Sequence, residues 1–456
     1  MLVRRHPIIT KNLNSLINSR YSYYKRGSRM VSIMASNFEP VVLSKACKRI
    51  PPSIWVETLN LVNKYKPVNL GQGFPDFPEV VPTTLKNALV ATQAANAPVV
   101  NNQYTRGQGN IDLVNAIADI YSPLFGRSID AMKEVMVTVG AYEALHCIIN
   151  AVVNPGDEVI LIEPYFDSYS ESILAINGVP RYIPLRLKEG GTNASDFVLD
   201  KNELTGLFNE KTKAIIVNTP HNPTGKVFTH EEIEFIGNLC KKYNALYISD
   251  EVYEWLVYQG SEHIRAATLP GMWERTVTVC SAGKTFSVTG WKSGWLIAPE
   301  YLISGAMRVH QGIIYTCPTP LQIALANTFK HEKLLLGTPD SYWHWLCQNM
   351  TGKRQRMFEI VKEAKMKPIM PDGGYFMLVD ITGLNVDRSG YDDDTPLDKI
   401  VQQWLIKDKG LAVIPCSEFY SSEHKKEFEN FIRVCFIKGD NTLDAAREIF
   451  SKLNIE

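Results

Sequence analysis

Residues 276–295 place Ser281, Lys284 and Lys292 where the chain leaves a strand. The β-branched residues 276–279 favour a short buried strand, and the small and polar residues after them predict its end. A lysine amine such as that of Lys284 can form a Schiff base with an aldehyde when burial or neighbouring cations lower its pKa. Ser281 and Lys292 suit a phosphate. Lysines in a loop are more often plain surface residues, so the other strand ends decide between the two interpretations.

Further apolar runs end in polar or aromatic residues in the same way. Residues 158–162, 213–217 and 245–249 predict strands, and helical segments such as 231–242 separate them. This alternation predicts an α/β fold with a mostly parallel sheet and helices on both faces. Such sheets bind ligands beyond the carboxyl ends of their strands. We therefore expect one site to contain Phe166, Asn222, Asp250, Tyr253 and Lys284.

A strand predicted at residues 135–139 leads through a glycine turn into a helix. Gly140 and Ala141 open this helix, and its apolar residues recur at i, i+3 and i+4 spacing. The first turn of a helix presents free N–H groups and partial positive charge to anions. The turn is therefore either a phosphate cradle or an ordinary strand–helix junction. Tyr104 lies in another turn, where its phenol either reaches a phosphate or only packs.

The residues expected at the strand ends suit an aromatic heterocycle that carries an aldehyde and a phosphate. Phe166 supplies a stacking face, and Asn222 and Tyr253 supply hydrogen-bond donors. A buried Asp250 would keep a pyridine nitrogen protonated, because an opposite charge in a low-dielectric site favours the charged form. The protonated ring is then an electron sink for a carbanion. Pyridoxal phosphate is the cofactor that needs all of these parts together.

The chain from about residue 51 onward resembles the fold-type I, class I aminotransferases. It is most similar to the group of kynurenine aminotransferase, glutamine transaminase K and cysteine-S-conjugate β-lyase. The motifs that carry the resemblance are NLGQGFPDFP (69–78), HNPTG (221–225), SDEVYE (249–254), SAGKTFSVTGWKSGW (281–295) and FIRVCFIKG (431–439). The resemblance implies the fold of pyridoxal-phosphate-dependent transferases. A large domain (81–330) would carry a mostly parallel sheet between helices, and residues 38–80 with 331–456 would form a smaller α+β domain.

The resemblance also implies a role for each matching residue. Lys284 would bind pyridoxal phosphate as a Schiff base and later move the substrate proton, and Asp250 would pair with the pyridinium. Arg433 would take the substrate α-carboxylate with its two-pronged guanidinium. The remaining cofactor contacts would come from Gly140, Ala141, Phe166, Asn222, Tyr253, Ser281, Lys292 and, from the partner subunit of a homodimer, Tyr104. The substrate would contact Trp55, Gly73, Tyr142, Asn222, Tyr315 and Arg433.

Two positions depart from the pattern of the family. Lys292 stands where many relatives have arginine, as expected of the kynurenine-type group. Thr316 stands where a histidine is expected in the segment that faces the substrate. The aromatic residues Trp55, Tyr142 and Tyr315 still predict a pocket for large apolar or aromatic amino acids.

The activity that the resemblance implies is transfer of the kynurenine amino group to a 2-oxo acid. The product would cyclise to kynurenic acid, a reaction of tryptophan catabolism, and other bulky amino acids would also serve. One alternative is β-elimination from cysteine conjugates, since the same Cα carbanion can expel a leaving group. Another is a transaminase for glutamine, methionine or aromatic amino acids. A non-catalytic binding protein of this fold is disfavoured, because it would not need to keep the lysine, aspartate and arginine together.

Composition bounds the remaining possibilities. The 456 residues exceed what one core supports, so two domains are expected, and 45% hydrophobic with 21% charged residues is typical of a soluble globular protein. The net charge of zero gives no reason to expect a nucleic-acid or membrane partner. Eight cysteines without a CxxC pair indicate reduced thiols and no metal site.

The first residues of the chain differ in composition from the rest. No acidic residue precedes Glu39, whereas arginine, lysine, serine and asparagine are frequent. Residues 1–37 therefore predict a mitochondrial targeting segment or a disordered basic tail. Met30 and Met34 are internal methionines from which a shorter cytosolic form could start. The expected compartments are the mitochondrion, the cytoplasm or both.

Overall fold

The computed structural model describes residues 41–51 and 53–453. The predicted targeting segment, residues 1–37, lies outside the described residues. Contacts divide the chain after Lys48, and the second helix and everything beyond it belong to one compact unit. The helices are α1 (Lys45–Arg49), α2 (Ile54–Tyr65), α3 (Thr83–Thr92), α4 (Ile111–Leu124), α5 (Gly140–Val152), α6 (Ser168–Ala175), α7 (Lys201–Leu207), α8 (His230–Tyr243), α9 (Ala282–Thr285), α10 (Glu300–Ile313), α11 (Thr319–Leu335), α12 (Tyr342–Glu363), α13 (Leu397–Trp404) and α14 (Asp440–Phe450).

The strands form one large sheet and two small ones. They are β1 (Val68–Asn69), β2 (Val135–Thr138), β3 (Glu158–Glu163), β4 (Val179–Leu187), β5 (Phe197–Leu199), β6 (Thr212–Asn218), β7 (Leu246–Asp250), β8 (Thr276–Ser281), β9 (Gly294–Ile297), β10 (Lys367–Ile369), β11 (Phe376–Asp380), β12 (Leu411–Ala412), β13 (Ile414–Pro415) and β14 (Phe431–Cys435). The large sheet has the order β2-β9-β8-β7-β6-β3-β4-β5.

The centre of the large sheet is parallel. Strands β4, β3, β6, β7 and β8 run side by side in the same direction, whereas β5 and β9 are antiparallel to their neighbours. Asn218 is the register partner of Asp250, and Asp250 is the partner of Val279. The carboxyl ends of the central strands therefore meet along one edge, as the sequence predicted for this α/β fold.

Hydrophobic clusters cover both faces of this sheet, which is why its strands are continuous apolar runs. Alternate residues of one strand belong to opposite clusters, since side chains along a strand alternate in direction. Ile216 packs with residues of α5 and α10, while Ile215 packs with residues of α8. Helix α8 begins at a capping box formed by Thr229 and Glu232, and the chain turns at Asn244, whose φ is 53°.

The small sheets join the start of the described chain to its end. β10, β11, β14 and β13 form an antiparallel sheet, and β1 pairs with β12 in parallel. Ile54 and Trp55 of α2 pack against Ile414 and Phe419. Residues 54–55 and 68–69 thus contact the C-terminal part of the chain, and the division proposed for the two domains stays a prediction.

Two C-terminal elements change character along their length. Helix α13 begins directly after Pro396, and Leu405–Lys409 continue it as a π-helical turn. The chain leaves its pairing with β1 after Ala412 and pairs with β14 from Ile414, so residues 411–415 form two short strands.

Within the described residues, no helix combines the length and the apolar character that crossing a membrane requires.

Candidate active site

A cavity of about 220 Å³ lies at the carboxyl ends of the parallel strands. Most of the residues that the sequence analysis selected line this one cavity. They are Trp55, Gly73, Gly140, Ala141, Tyr142, Phe166, Asn222, Asp250, Tyr253, Ser281, Lys284, Lys292 and Arg433. The adjacent ends of β7 and β8 bring Asp250 and Lys284 together here, whereas Arg433 comes from β14 of the small antiparallel sheet and Trp55 from α2.

Lys284 lies in the short helix α9, directly after β8. Its Nζ atom is 2.6 Å from the hydroxyl oxygen of Tyr375 and 3.4 Å from the carbonyl oxygen of Gly73. Burial lowers the pKa of the Lys284 amine to about 8, because desolvation disfavours the ammonium form. A substantial fraction of this amine is therefore neutral near physiological pH and can act as a nucleophile or a base.

Asp250 is the last residue of β7 and is buried at the cavity wall. Its carboxylate accepts a hydrogen bond of 2.5 Å from the Tyr169 hydroxyl and one of 3.3 Å from the Val252 N–H. Burial raises the pKa of Asp250 to about 6, so it is mostly ionised at neutral pH. A buried carboxylate held in this way suits a positively charged ring nitrogen.

Arg433 is a buried cation on β14. Its Nη1 donates to Asn222 Oδ1 over 2.8 Å, and its Nη2 donates to the Gly71 carbonyl oxygen over 2.9 Å. The guanidinium lies 3.9 Å from the ring centre of Phe376. None of the ion pairs among the described residues includes it, and its Nε has no hydrogen-bond partner there. Because a buried charge is costly without a counter-ion, this arrangement is suited to an anionic ligand.

The hydrogen bond from Arg433 also orients the Asn222 amide. Since Oδ1 accepts from the guanidinium, the amide N–H groups of Asn222 remain to donate into the cavity. The backbone of Asn222 is held in turn, because its N–H donates to Asn218 Oδ1 over 2.7 Å. The Asn222 amide thus contacts Arg433 with its oxygen and can donate with its nitrogen to a ligand in the cavity that Asp250 and Lys284 also line.

The N-terminus of α5 forms an anion-binding corner. Gly140 opens the helix with a φ of 77°, a conformation that favours glycine. A Cβ atom at Gly294 would lie 2.7 Å from the Gly140 carbonyl carbon and 2.8 Å from the Ala141 nitrogen, so β9 can approach this helix only with glycine there. Ser281 and Lys292 flank the same corner. Free helical N–H groups, a hydroxyl and an ammonium group together suit a phosphate.

Aromatic side chains line the remaining side of the cavity. Phe166 and Tyr142 make an edge-to-face contact with ring centres 5.5 Å apart. Trp55 lies near Arg433, whose guanidinium carbon is 5.6 Å from the indole centre. The Arg433 guanidinium therefore lies beside an apolar surface that can receive a bulky side chain.

Two predicted residues do not line the cavity of this single chain. Tyr104 and Tyr315 are 80% and 52% exposed, and their rings contact each other edge to face at 5.3 Å. The sequence analysis assigned Tyr104 to the site of a partner subunit, and it placed Tyr315 in the substrate pocket. Both roles stay predictions.

Sequence reasoning missed Tyr169 and Tyr375, which contact Asp250 and Lys284. Tyr169 lies three residues after Phe166, about one helical turn, so helical spacing from Phe166 could have indicated it. Tyr375 follows Gly373 and Gly374 at the start of β11, and the paired glycines could have marked a close approach of backbone.

A lysine with a lowered pKa, a buried aspartate and a buried arginine line one cavity, and this combination suits an enzyme that acts on amino acids. Residues 65–449 match the protein family described as aminotransferase class I and II, and the chain belongs to this family. The interpretation of the sequence as a class I aminotransferase of the kynurenine group is confirmed. Use of pyridoxal phosphate is a general property of this family.

Curated relatives cover most of the chain. Human kynurenine–oxoglutarate transaminase 3 is 47% identical over 91% of this chain and 90% of its own length. Human kynurenine–oxoglutarate transaminase 1 is 42% identical over 88% of this chain and 96% of its own length. Among solved structures, Escherichia coli YbdL, described as having a methionine aminotransferase function, is 31% identical. It superposes with a TM-score of 0.79 over 91% of this chain and all of its own.

Proposed function

We propose that this chain transfers the amino group of kynurenine to a 2-oxo acid with pyridoxal phosphate as cofactor. The observation that carries the proposal is the buried guanidinium of Arg433, which has no ion pair among the described residues and lies in the same cavity as Lys284, whose amine has a lowered pKa. One group binds an α-carboxylate and the other reacts with an aldehyde. The curated relatives named for kynurenine support the choice of substrate.

The residues of the cavity fit pyridoxal phosphate. The anion-binding corner at Gly140, Ser281 and Lys292 suits the phosphate, and the buried Asp250 suits the ring nitrogen. The free amide N–H groups of Asn222 and the hydroxyl of Tyr253 suit the phenolic oxygen of the ring. When bound, this cofactor supplies an electron sink for the negative charge that develops at the substrate Cα.

The chain's own groups would orient the substrate and move its proton. Arg433 would hold the α-carboxylate with the N–H groups that Asn222 and Gly71 leave free, which fixes the Cα relative to the lysine. The neutral amine of Lys284 would take the proton from the substrate Cα. It would then deliver this proton to C4′, the cofactor carbon on the other side of the substrate nitrogen. Trp55 and Tyr142 would cover the side chain and exclude water from the reacting atoms.

The test is turnover of kynurenine by the purified full-length protein loaded with pyridoxal phosphate. We expect kynurenic acid to form only when a 2-oxo acid is present, with one amino acid produced from the oxo acid for each kynurenic acid. Lys284→Ala should abolish this activity. Lys330→Ala should not, because Lys330 pairs with Asp112 on the surface. Kynurenic acid formation that needs no oxo acid, or none at all under any condition, would refute the proposal.

The exposed pair Tyr104 and Tyr315 supports a homodimer in which each chain completes the site of the other. The test mixes two variants, Lys284→Ala and Tyr104→Ala, after reversible dissociation. If the sites are shared, a mixed dimer contains one site without either substitution, and activity should recover toward a quarter of the normal value. No recovery in a mixture shown by light scattering to contain dimers would contradict the shared site.

We propose that residues 1–37 direct part of the protein to mitochondria, on the basis of their basic composition without acidic residues. A fluorescent fusion of the full chain should be found in mitochondria, and a fusion that starts at Met34 should stay in the cytosol. Identical distributions of the two fusions would refute a targeting role.

A further inference from the structure

Tyr375 joins the reactive lysine to the loop before α3. Its side chain is 2% exposed, and its hydroxyl lies 2.6 Å from Lys284 Nζ and 2.8 Å from the carbonyl oxygen of Gly73. Its ring makes an edge-to-face contact with Tyr253, with ring centres 5.1 Å apart. The phenol thus contacts the amine directly from the small antiparallel sheet.

Both ends of this connection are held in place. The backbone carbonyl of Tyr375 accepts a hydrogen bond of 3.0 Å from the Phe436 N–H. A Cβ atom at Gly73 would lie 2.5 Å from Phe376 Cζ and 3.2 Å from Tyr375 Cε2, so the loop packs directly on these rings. The hydroxyl therefore has little freedom to move away from Lys284.

The partners fix the direction of the hydrogen bonds. A phenol has one proton to donate, and a backbone carbonyl can only accept. The short contact with Gly73 therefore takes the phenol proton, and the phenol oxygen is left to accept from an N–H of Lys284. The reverse arrangement would leave Gly73 with only the longer contact of 3.4 Å from the lysine.

We propose that Tyr375 is a positioning residue for the reaction, holding the Lys284 amine at the cavity by accepting a hydrogen bond from it. The inference rests on the proposed function, since Lys284 is the reactive group of that function. Nothing in the family match or in the names of the relatives assigns this role.

An acceptor at this position favours the charged form of the lysine. Hydrogen bonds from an ammonium group are stronger than those from a neutral amine. Tyr375 therefore offsets part of the burial that lowers the pKa of Lys284 to about 8. Its removal should lower that pKa further, and the neutral fraction of the amine at pH 7 should rise roughly four-fold.

The experiment measures the ionisation of Lys284 directly in the full-length protein freed of cofactor. Short pulses of formaldehyde and cyanoborohydride methylate neutral amines, and mass spectrometry of the peptide containing Lys284 gives the labelling rate between pH 6 and pH 10. We expect Tyr375→Phe to move the midpoint to lower pH and to raise the labelling rate at pH 7 roughly four-fold. Because no amino acid and no turnover are involved, failure of the proposed function would not affect this readout.

The matched control is Tyr258→Phe. Tyr258 is also buried, and its hydroxyl donates to the carbonyl oxygen of Gly374 over 2.5 Å, one residue away from Tyr375. This control loses a buried phenol from the same region but no contact with Lys284, so its midpoint should equal that of the unsubstituted protein. Tyr375→Met, which fills space flexibly, gives the same test if the phenylalanine variant is unstable.

An unchanged midpoint in Tyr375→Phe would overturn the proposal. A midpoint at higher pH would also overturn it, since the phenol would then donate to the neutral amine. The same shift in Tyr258→Phe and Tyr375→Phe would assign the effect to general loosening of the region, which again contradicts a specific role.

Discussion

Arg433→Lys keeps a positive charge at the substrate-binding position but removes the planar guanidinium. Of the five N–H groups of arginine, one is committed to Asn222 and one to Gly71, which leaves three for a carboxylate. A lysine ammonium has three N–H groups in all. If it satisfies the same two acceptors, it can give the substrate carboxylate only one hydrogen bond, whereas arginine gives two.

The expected loss is therefore one charge-assisted hydrogen bond, about 1.5–3 kcal/mol. That free energy corresponds to a fall in kcat/KM of about 10- to 150-fold. The carboxylate is bound in the ground state and in the transition state alike, so the change should be mainly in KM. The aromatic face of Phe376, 3.9 Å from the guanidinium, would also lose a stacking partner.

Steady-state kinetics should be measured with kynurenine and with the corresponding amine, which lacks the α-carboxylate. A comparison of the two substrates distinguishes loss of carboxylate binding from general damage to the active site. We expect the substitution to lower kcat/KM for kynurenine and to leave the poor activity with the amine unchanged. Arg354→Lys is the matched control, because Arg354 also stacks on an aromatic ring, that of Tyr258, but contacts the Pro371 carbonyl outside the cavity. A loss under three-fold, or an equal loss with the amine, would refute the assignment of Arg433.

Three further predictions concern the lysine, the loop and a buried carboxyl. The rate at which cofactor-free protein reacts with pyridoxal phosphate should rise with pH with a midpoint near 8, because only the neutral amine of Lys284 reacts. Stopped-flow absorbance measures this rate. A midpoint near the ordinary lysine value of about 10.4 would contradict the prediction. Gly73→Ala should destabilise the protein by about 1–3 kcal/mol in urea unfolding, because its Cβ would lie 2.5 Å from Phe376 Cζ, and unchanged stability would show that the loop yields. Burial raises the pKa of Asp398 to about 7. Between about pH 4 and pH 7 the folded state therefore retains a proton that the unfolded state releases, so the contribution of this carboxyl to stability falls as pH rises through that range. Asp398→Asn should flatten the dependence of Tm on pH over that range, and an unaltered slope would contradict the shift.

The sequence was sufficient for the strand ends because their signal is local. A parallel strand covered on both faces must be a continuous apolar run, and the first polar residue after it marks the edge where ligands bind. Asp250 and Lys284 were found in this way. The bounds of α13 and β12 have no such local signal, because the start of a helix after Pro396 and a change of pairing partner after Ala412 depend on neighbours elsewhere in the fold.

Tyr169 and Tyr375 show what a local signal cannot supply. Each phenol gains its role from a partner distant in sequence, 81 residues away for Asp250 and 91 residues away for Lys284. A buried tyrosine that only packs has the same flanking pattern as one that donates to a carboxylate. The register of the strands and the packing of the loop on β11 decide which of the two occurs, so these contacts required the three-dimensional structure.

The charge of the cavity favours anionic ligands. The charged side chains that line it are Asp250, Lys284, Lys292 and Arg433, so three cations face one carboxylate. Arg433 is buried, whereas Lys292 is exposed, so the guanidinium bears the larger desolvation cost without a bound anion. A phosphate at the helix corner and a carboxylate at Arg433 would balance the excess of positive charge. Lys284 would then be the cation without a bound anion, and its lowered pKa lets it give up its proton and react.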